Sequence, residues 1–113
     1  MPRLSAYKGL ELYQLSKKLV VACYELTHDL PTEEKTNLSR HIRVAALSVH
    51  LNITRGAFRK TKKRRKYFRM AQDCLIIIST ATEILVEVNF TTAEEAARIS
   101  QLSTALSQLL EQL

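Results

Sequence analysis

From Lys35 to Gln72 the chain carries twelve Lys and Arg side chains and no Asp or Glu, and seven of the twelve crowd the eight positions 59–66. The flanks differ. Residues 1–34 hold four basic and five acidic groups, and residues 73–113 hold one basic and six acidic. The whole-chain charge of +6 therefore belongs to one segment. A field of one sign confined to one region attracts polyanions and speeds their encounter. The polyanion this points to is nucleic acid, RNA or DNA, held by Arg55, Arg59, Lys60, Lys62, Lys63, Arg64, Arg65, Lys66 and Arg69.

A charge run at a helix turn is most often only a solvated surface. Three details weigh against that here. No carboxylate lies within four residues of the run 59–66 to form the i,i+4 pairs that usually support a charged helix face. Repulsion among so many like charges costs stability unless an anion relieves it. Lys62, Arg65, Lys66 and Arg69 recur at steps of three and four, which makes a ridge down one side of a helix. Tyr67 and Phe68 read as core anchors rather than base-stacking platforms.

Other chemistry finds little footing. The carboxylates have no spacing that suggests an acid and a base sharing a pocket. His28, His41 and His50 have no histidine or cysteine three or four residues away, so no metal site is expected. Cys23 and Cys74 form no Cys-x-x-Cys pair, and with only Gly9 and Gly56 there is no glycine-rich phosphate loop. The expectation is a protein that is not an enzyme and needs no cofactor.

The elements that must hold the basic segment follow from spacing. At 113 residues the chain is expected to form a single domain, 1–113. Two Gly and two Pro in a chain 46% apolar leave room for three or four helices with short connections. No apolar run reaches 18 residues, so nothing is expected to span a membrane. The opening Met1-Pro2-Arg3-Leu4-Ser5 lacks the apolar core of a secretion signal. Cys23 and Cys74 fall among apolar helical positions and read as buried free thiols, so the expected compartment is the cytoplasm.

Leu12, Leu15, Leu19, Ala22, Leu26 and Leu30 share one helix face, and that helix should end around residues 29–30, before Pro31. A second helix should begin within residues 32–36 and run to about Phe58, burying Leu38, Ile42, Ala45, Val49 and Ile53. Gly56 falls in or just past its last turn, and a charged turn follows to Thr61. Beside the buried stripe runs a polar line of His41, Ser48, Asn52, Arg55 and Arg59. Its members His41, Ser48 and Asn52, with Arg43, are candidates for interhelical or subunit contacts.

In the third helix Tyr67, Ala71, Cys74, Ile78, Ala81, Leu85 and Val88 make a heptad seam. Ile76, Ile77 and Ile84 lie off it and call for a further neighbour, in the bundle or in another subunit. Thr92-Ala93-Glu94-Glu95 has the capping-box form, and a fourth helix follows with Ile99, Leu102, Leu106, Leu109 and Leu113. Short connections make consecutive helices antiparallel. The fold class is all-α, an antiparallel up-down-up-down four-helix bundle.

Particular residues also carry a resemblance. They are Tyr7-Lys8-x-Leu10-x-Leu12-Tyr13-Gln14-x-Ser16, Tyr24-x-x-Thr27, Pro31-x-x-Glu34-x-x-x-Leu38, and Ile42-Arg43-x-Ala45-Ala46-x-Ser48-x-x-x-Asn52-Ile53-x-x-Gly56-x-x-Arg59. Over residues 7–88 the chain resembles the bacterial four-helix-bundle proteins first noticed in intervening sequences of large-subunit ribosomal RNA genes. A relative in that superfamily is the accessory variability protein of diversity-generating retroelements.

The resemblance implies a ring-like homopentamer. For the retroelement branch it also implies nucleic-acid binding and association with a reverse transcriptase. The chain departs from the common pattern at His41, Val44 and Thr54-Arg55-Gly56, where relatives carry glutamine, arginine and Ala-Glu-Gly, and at Asp73-Cys74, where Gly-Ser is frequent. Arg55 in place of an acid moves the surface further towards polyanions. The competing reading is a protein–protein scaffold whose basic hairpin docks on an acidic partner, with nucleic acid incidental. A basic tract read as a transport address fits poorly with its place in a helical hairpin.

Overall fold

The computed structural model describes residues 6–113, and those residues form four α-helices and no strand. The stretch 1–5, read above for a secretion signal, lies outside the described residues. The helices are α1 (Ala6–Thr27), α2 (Leu38–Ala57), α3 (Thr61–Glu87) and α4 (Ala93–Glu111), with a single 3₁₀ turn at Thr32–Glu34. α1 packs on α2 and α4, and α3 packs on the same two, so the helices occupy the corners of a square. Cross-links between them run from Ser16 to His50, Thr27 to Arg43, and Gln72 to Ser107. With such short connections each consecutive pair is antiparallel, the arrangement of a four-helix bundle. Among the described residues no helix is long and apolar enough to cross a membrane.

The leucine and isoleucine stripes form the core. Leu12, Leu19, Ile42, Ile53, Ile78, Leu85, Ile99 and Leu106 are among its fully buried side chains. Two boundaries move inward from their expected places. α1 stops at Thr27, whose hydroxyl donates to the Cys23 carbonyl at 2.7 Å, and Leu30 folds back into the core beyond the helix end. α2 begins only at Leu38 because the 3₁₀ turn takes up the preceding residues. The Glu34 carboxylate then accepts from the Leu38 backbone N–H at 3.3 Å, capping α2 from outside.

The seam of α3 keeps Ala71, Ile78, Ala81 and Leu85 of the one expected but not Tyr67, Cys74 and Val88. Its buried residues are Arg64, Phe68, Ala71, Leu75, Ile78, Ala81, Thr82 and Leu85. Apart from Ala81, those positions alternate steps of four and three. Tyr67 and Cys74 are half-buried, and Val88 is exposed at the helix end. Phe68 and Leu75 bring more apolar area to the core than Tyr67 and Cys74, and that burial sets the rotation of the helix. Ile76, Ile77 and Ile84 remain exposed, since α2 and α4 cover only one side of α3.

α3 ends in a Schellman turn, with Phe90 N–H on the Leu85 carbonyl and Asn89 N–H on that of Val86. Asn89 takes the left-handed conformation (φ 62°) that a short polar side chain tolerates. Both thiols are free: Cys23 is buried and Cys74 half-buried. Burial pushes the Cys23 thiol up to about 12. Burial, with Asp73 adding to it, raises that of Cys74.

Candidate nucleic-acid interface

The basic segment becomes a helical hairpin because two helices can approach closely at Gly56, in the last turn of α2. A Cβ at that position would meet ring carbons of Phe68 at 2.7 Å and the Tyr67 Cβ at 3.2 Å. Real side-chain atoms do not pack that tightly, so the position requires glycine. Three residues, 58–60, then turn the chain into α3.

Lys60 is the N-cap of α3 and makes no side-chain capping bond, and no acidic residue stands in the first turn. The first N–H groups of any helix lack intrahelical partners and carry the positive end of the macrodipole. Here cations surround that end rather than acids. Arg55, Arg59, Lys60, Lys62, Lys63, Arg65, Lys66 and Arg69 are all exposed. Among the described residues the ion pairs are Arg98–Glu25 at 3.1 Å and His28–Asp29 at 4.0 Å, and neither touches the hairpin. Eight cationic heads thus face solvent, none within ion-pair distance of a carboxylate among the described residues, although Arg65 and Arg69 share a shallow cleft with Glu111.

Arg64 is a correction. Grouped by sequence with the phosphate-binding cations, it is only 3% exposed, and its Nε and Nη1 have no hydrogen-bond partner. It sits four residues before Phe68, on the buried seam, so helix geometry turns it inward.

The candidate polar contacts divide. Arg43 joins two helices: its Nε donates to the Thr27 hydroxyl at 2.7 Å, and its guanidinium lies 4.5 Å from the centre of the Tyr24 ring. Asn52 is buried and donates to the Ser48 carbonyl of its own helix at 2.9 Å, leaving its Oδ1 unpartnered. Ser48 contributes that carbonyl and is half-buried; His41 is exposed.

Two groups escaped the sequence reading. One is the Ser16–His50 link, with 2.7 Å between Oγ and Nδ1. The Ser16 hydroxyl also lies 3.1 Å from the Tyr13 carbonyl, and the direction of the Ser16–His50 bond follows the imidazole tautomer. Burial, with Lys17 nearby, holds the His50 pKa below its ordinary value. Tyr13 rests on the other side of this link, its ring centre 4.8 Å from that of His50. The second is Phe58, in the hairpin turn and 84% exposed. A lone aromatic beside a charge run gives no periodic signature, so pattern reading passes over it. Among the described residues no three of His, Cys, Asp and Glu converge where a metal ion could be held.

Fold and surface together define a small all-α bundle with a cationic hairpin at one end. The chain belongs to the 23S rRNA-intervening sequence protein family, whose sequence model matches residues 8–112. The match continues through α4, past the residues that first suggested the kinship. No curated protein matched the chain.

Proposed function

We propose that this protein is a non-enzymatic, oligomeric accessory factor that binds RNA or an RNA/DNA hybrid through the α2–α3 hairpin. In this reading it assembles as a homopentamer and assists a reverse transcriptase of a diversity-generating retroelement. The observation that carries it is the set of eight exposed cations on the α2–α3 hairpin, none within ion-pair distance of a carboxylate among the described residues. Contacts from such a surface go to phosphates, which position a protein without specifying bases.

Self-association has separate support. Val44, Leu47 and Leu51 on α2, like Ile76, Ile77 and Ile84 on α3, are apolar residues that the chain's own bundle leaves uncovered. Exposed apolar groups gathered on adjacent helices mark association surfaces.

The test is a salt titration of binding. On duplex the logarithmic slope is about −0.9 per phosphate neutralised, and about −0.7 on single strands. A slope near zero refutes the electrostatic reading. Converting Arg59, Lys62, Lys63 and Lys66 to Glu should abolish binding while the helical circular dichroism stays unchanged. If a stoichiometric protein partner instead survives nuclease and high salt, the scaffold reading replaces this one.

A further inference from the structure

Beside the cationic ridge, between the start of α1 and the hairpin, lies a groove of about 620 Å³. That falls within the roughly 300–1,000 Å³ usual for sites that take small ring systems. Its walls are Leu10, Tyr13, Ala57 and Phe58, and its rim carries Arg59 and Lys60. Two aromatic rings thus face a concave apolar space whose border is positive.

The rings differ in how they are held. Tyr13 is braced by the His50 ring, which Ser16 in turn pins through its hydroxyl. Phe58 stands at the exposed corner of the turn, next to both rim cations. Left to water, so exposed a ring gains nothing from burial in the fold. A base laid against it would gain stacking, and every base has a face that can stack.

We infer that this groove takes an unpaired nucleobase, so that the hairpin's ligand is single-stranded nucleic acid rather than duplex. Arg59 and Lys60 hold the phosphates on either side of that base. In a duplex the base faces are stacked on one another, so a groove that needs a face to stack on has nothing to take, and the contacts left are to phosphates and base edges. The ridge of α3 then serves both ligands, while the groove serves the single strand alone. The charge at the rim argues for this occupant, since an apolar peptide segment would find no use for two cations there. The inference rests on the proposed function and names its ligand more narrowly.

The experiment uses the full chain and two labelled probes of about 12 nucleotides, within the site sizes of comparable grooves. One is an oligouridine strand and the other a duplex of mixed sequence. Phe58→Ala should weaken strand binding by about 5- to 150-fold, the loss of one stacked base, and leave duplex binding unchanged. The chain has no Trp, so Phe58→Trp supplies a single reporter. It should keep strand affinity and lose fluorescence when the strand, but not the duplex, is added.

Equal effects of Phe58→Ala on both probes, or none on the strand, would overturn the assignment. So would a change of sedimentation mass in Phe58→Ala, which would make the groove a subunit contact. If the unaltered protein binds neither probe at low salt, the proposed function falls with it. If it binds both with a steep salt slope and Phe58→Ala is silent, only the groove falls.

Discussion

α3 and α4 both start after a short link, yet their first turns follow opposite rules. At α4 the Thr92 hydroxyl accepts from the Glu95 backbone N–H at 3.1 Å and donates to the Glu95 carboxylate at the same distance. Glu94 and Glu95 set negative charge against the positive end of the helix. At α3 the cap is Lys60 with no side-chain bond, and the positions that follow are Lys62, Lys63, Arg64, Arg65 and Lys66. The chain builds a well-formed helix start at one end of the bundle and forgoes it at the other. The difference teaches that the α3 start is shaped by something besides folding, and under the proposed function an anionic ligand would supply the missing charge.

The sharpest way to break this comparison is to exchange the rules. Lys60→Asp gives α3 an acidic cap and should stabilise the protein by about 1 kcal/mol or somewhat more, while weakening nucleic-acid binding. Thr92→Ala should cost about 1 kcal/mol at α4 and leave binding alone. Denaturant midpoints paired with binding isotherms check both. If Lys60→Asp destabilises the chain, the α3 start does not lack a cap in the sense described.

A smaller effect separates Arg64 from its neighbours. Replacing a buried, unpartnered guanidinium by an apolar side chain of similar length removes a desolvation cost, so Arg64→Met should leave the thermal midpoint unchanged or raise it slightly. Its probe affinity should stay near that of the unaltered chain, whereas Arg65→Met should lower affinity with no change in midpoint. A large drop in midpoint for Arg64→Met would show that the guanidinium is held by a partner in the assembly.

The smallest effect lies away from both helix starts. The folded pKa of His50 lies below its ordinary 6.5. Well above 6.5 the imidazole is neutral in folded and unfolded chains alike, and nothing is lost. As pH falls through 6.5 the unfolded chain takes up a proton first, so stability declines until the folded pKa is passed. His50→Gln should remove that part of the slope in thermal midpoints measured across this window. Without that control, acid titration would blur the contrast between the two helix starts.

Much of the frame was legible in the sequence. The leucine spacing of α1, the stripe of α2, the capping box at Thr92 and the placement of Gly56 in a last turn are local patterns, and local patterns survive folding. The rotation of α3 was harder to read, because Tyr67–Cys74 and Phe68–Leu75 are rival seam positions one residue apart. Burial area chose the second, and Arg64 was carried inward with it. The Ser16–His50 link and the groove at Phe58 join residues more than thirty positions apart. No periodicity announces such meetings.

Gly56 has one consequence beyond close packing. With no methyl to wedge them apart, the ends of α2 and α3 lie against each other as one stiff prong rather than a tethered flap. The intervals between its positive heads are then dictated by backbone pitch. Under the proposed function, a strand settling there would have to fit its own curvature to that pitch.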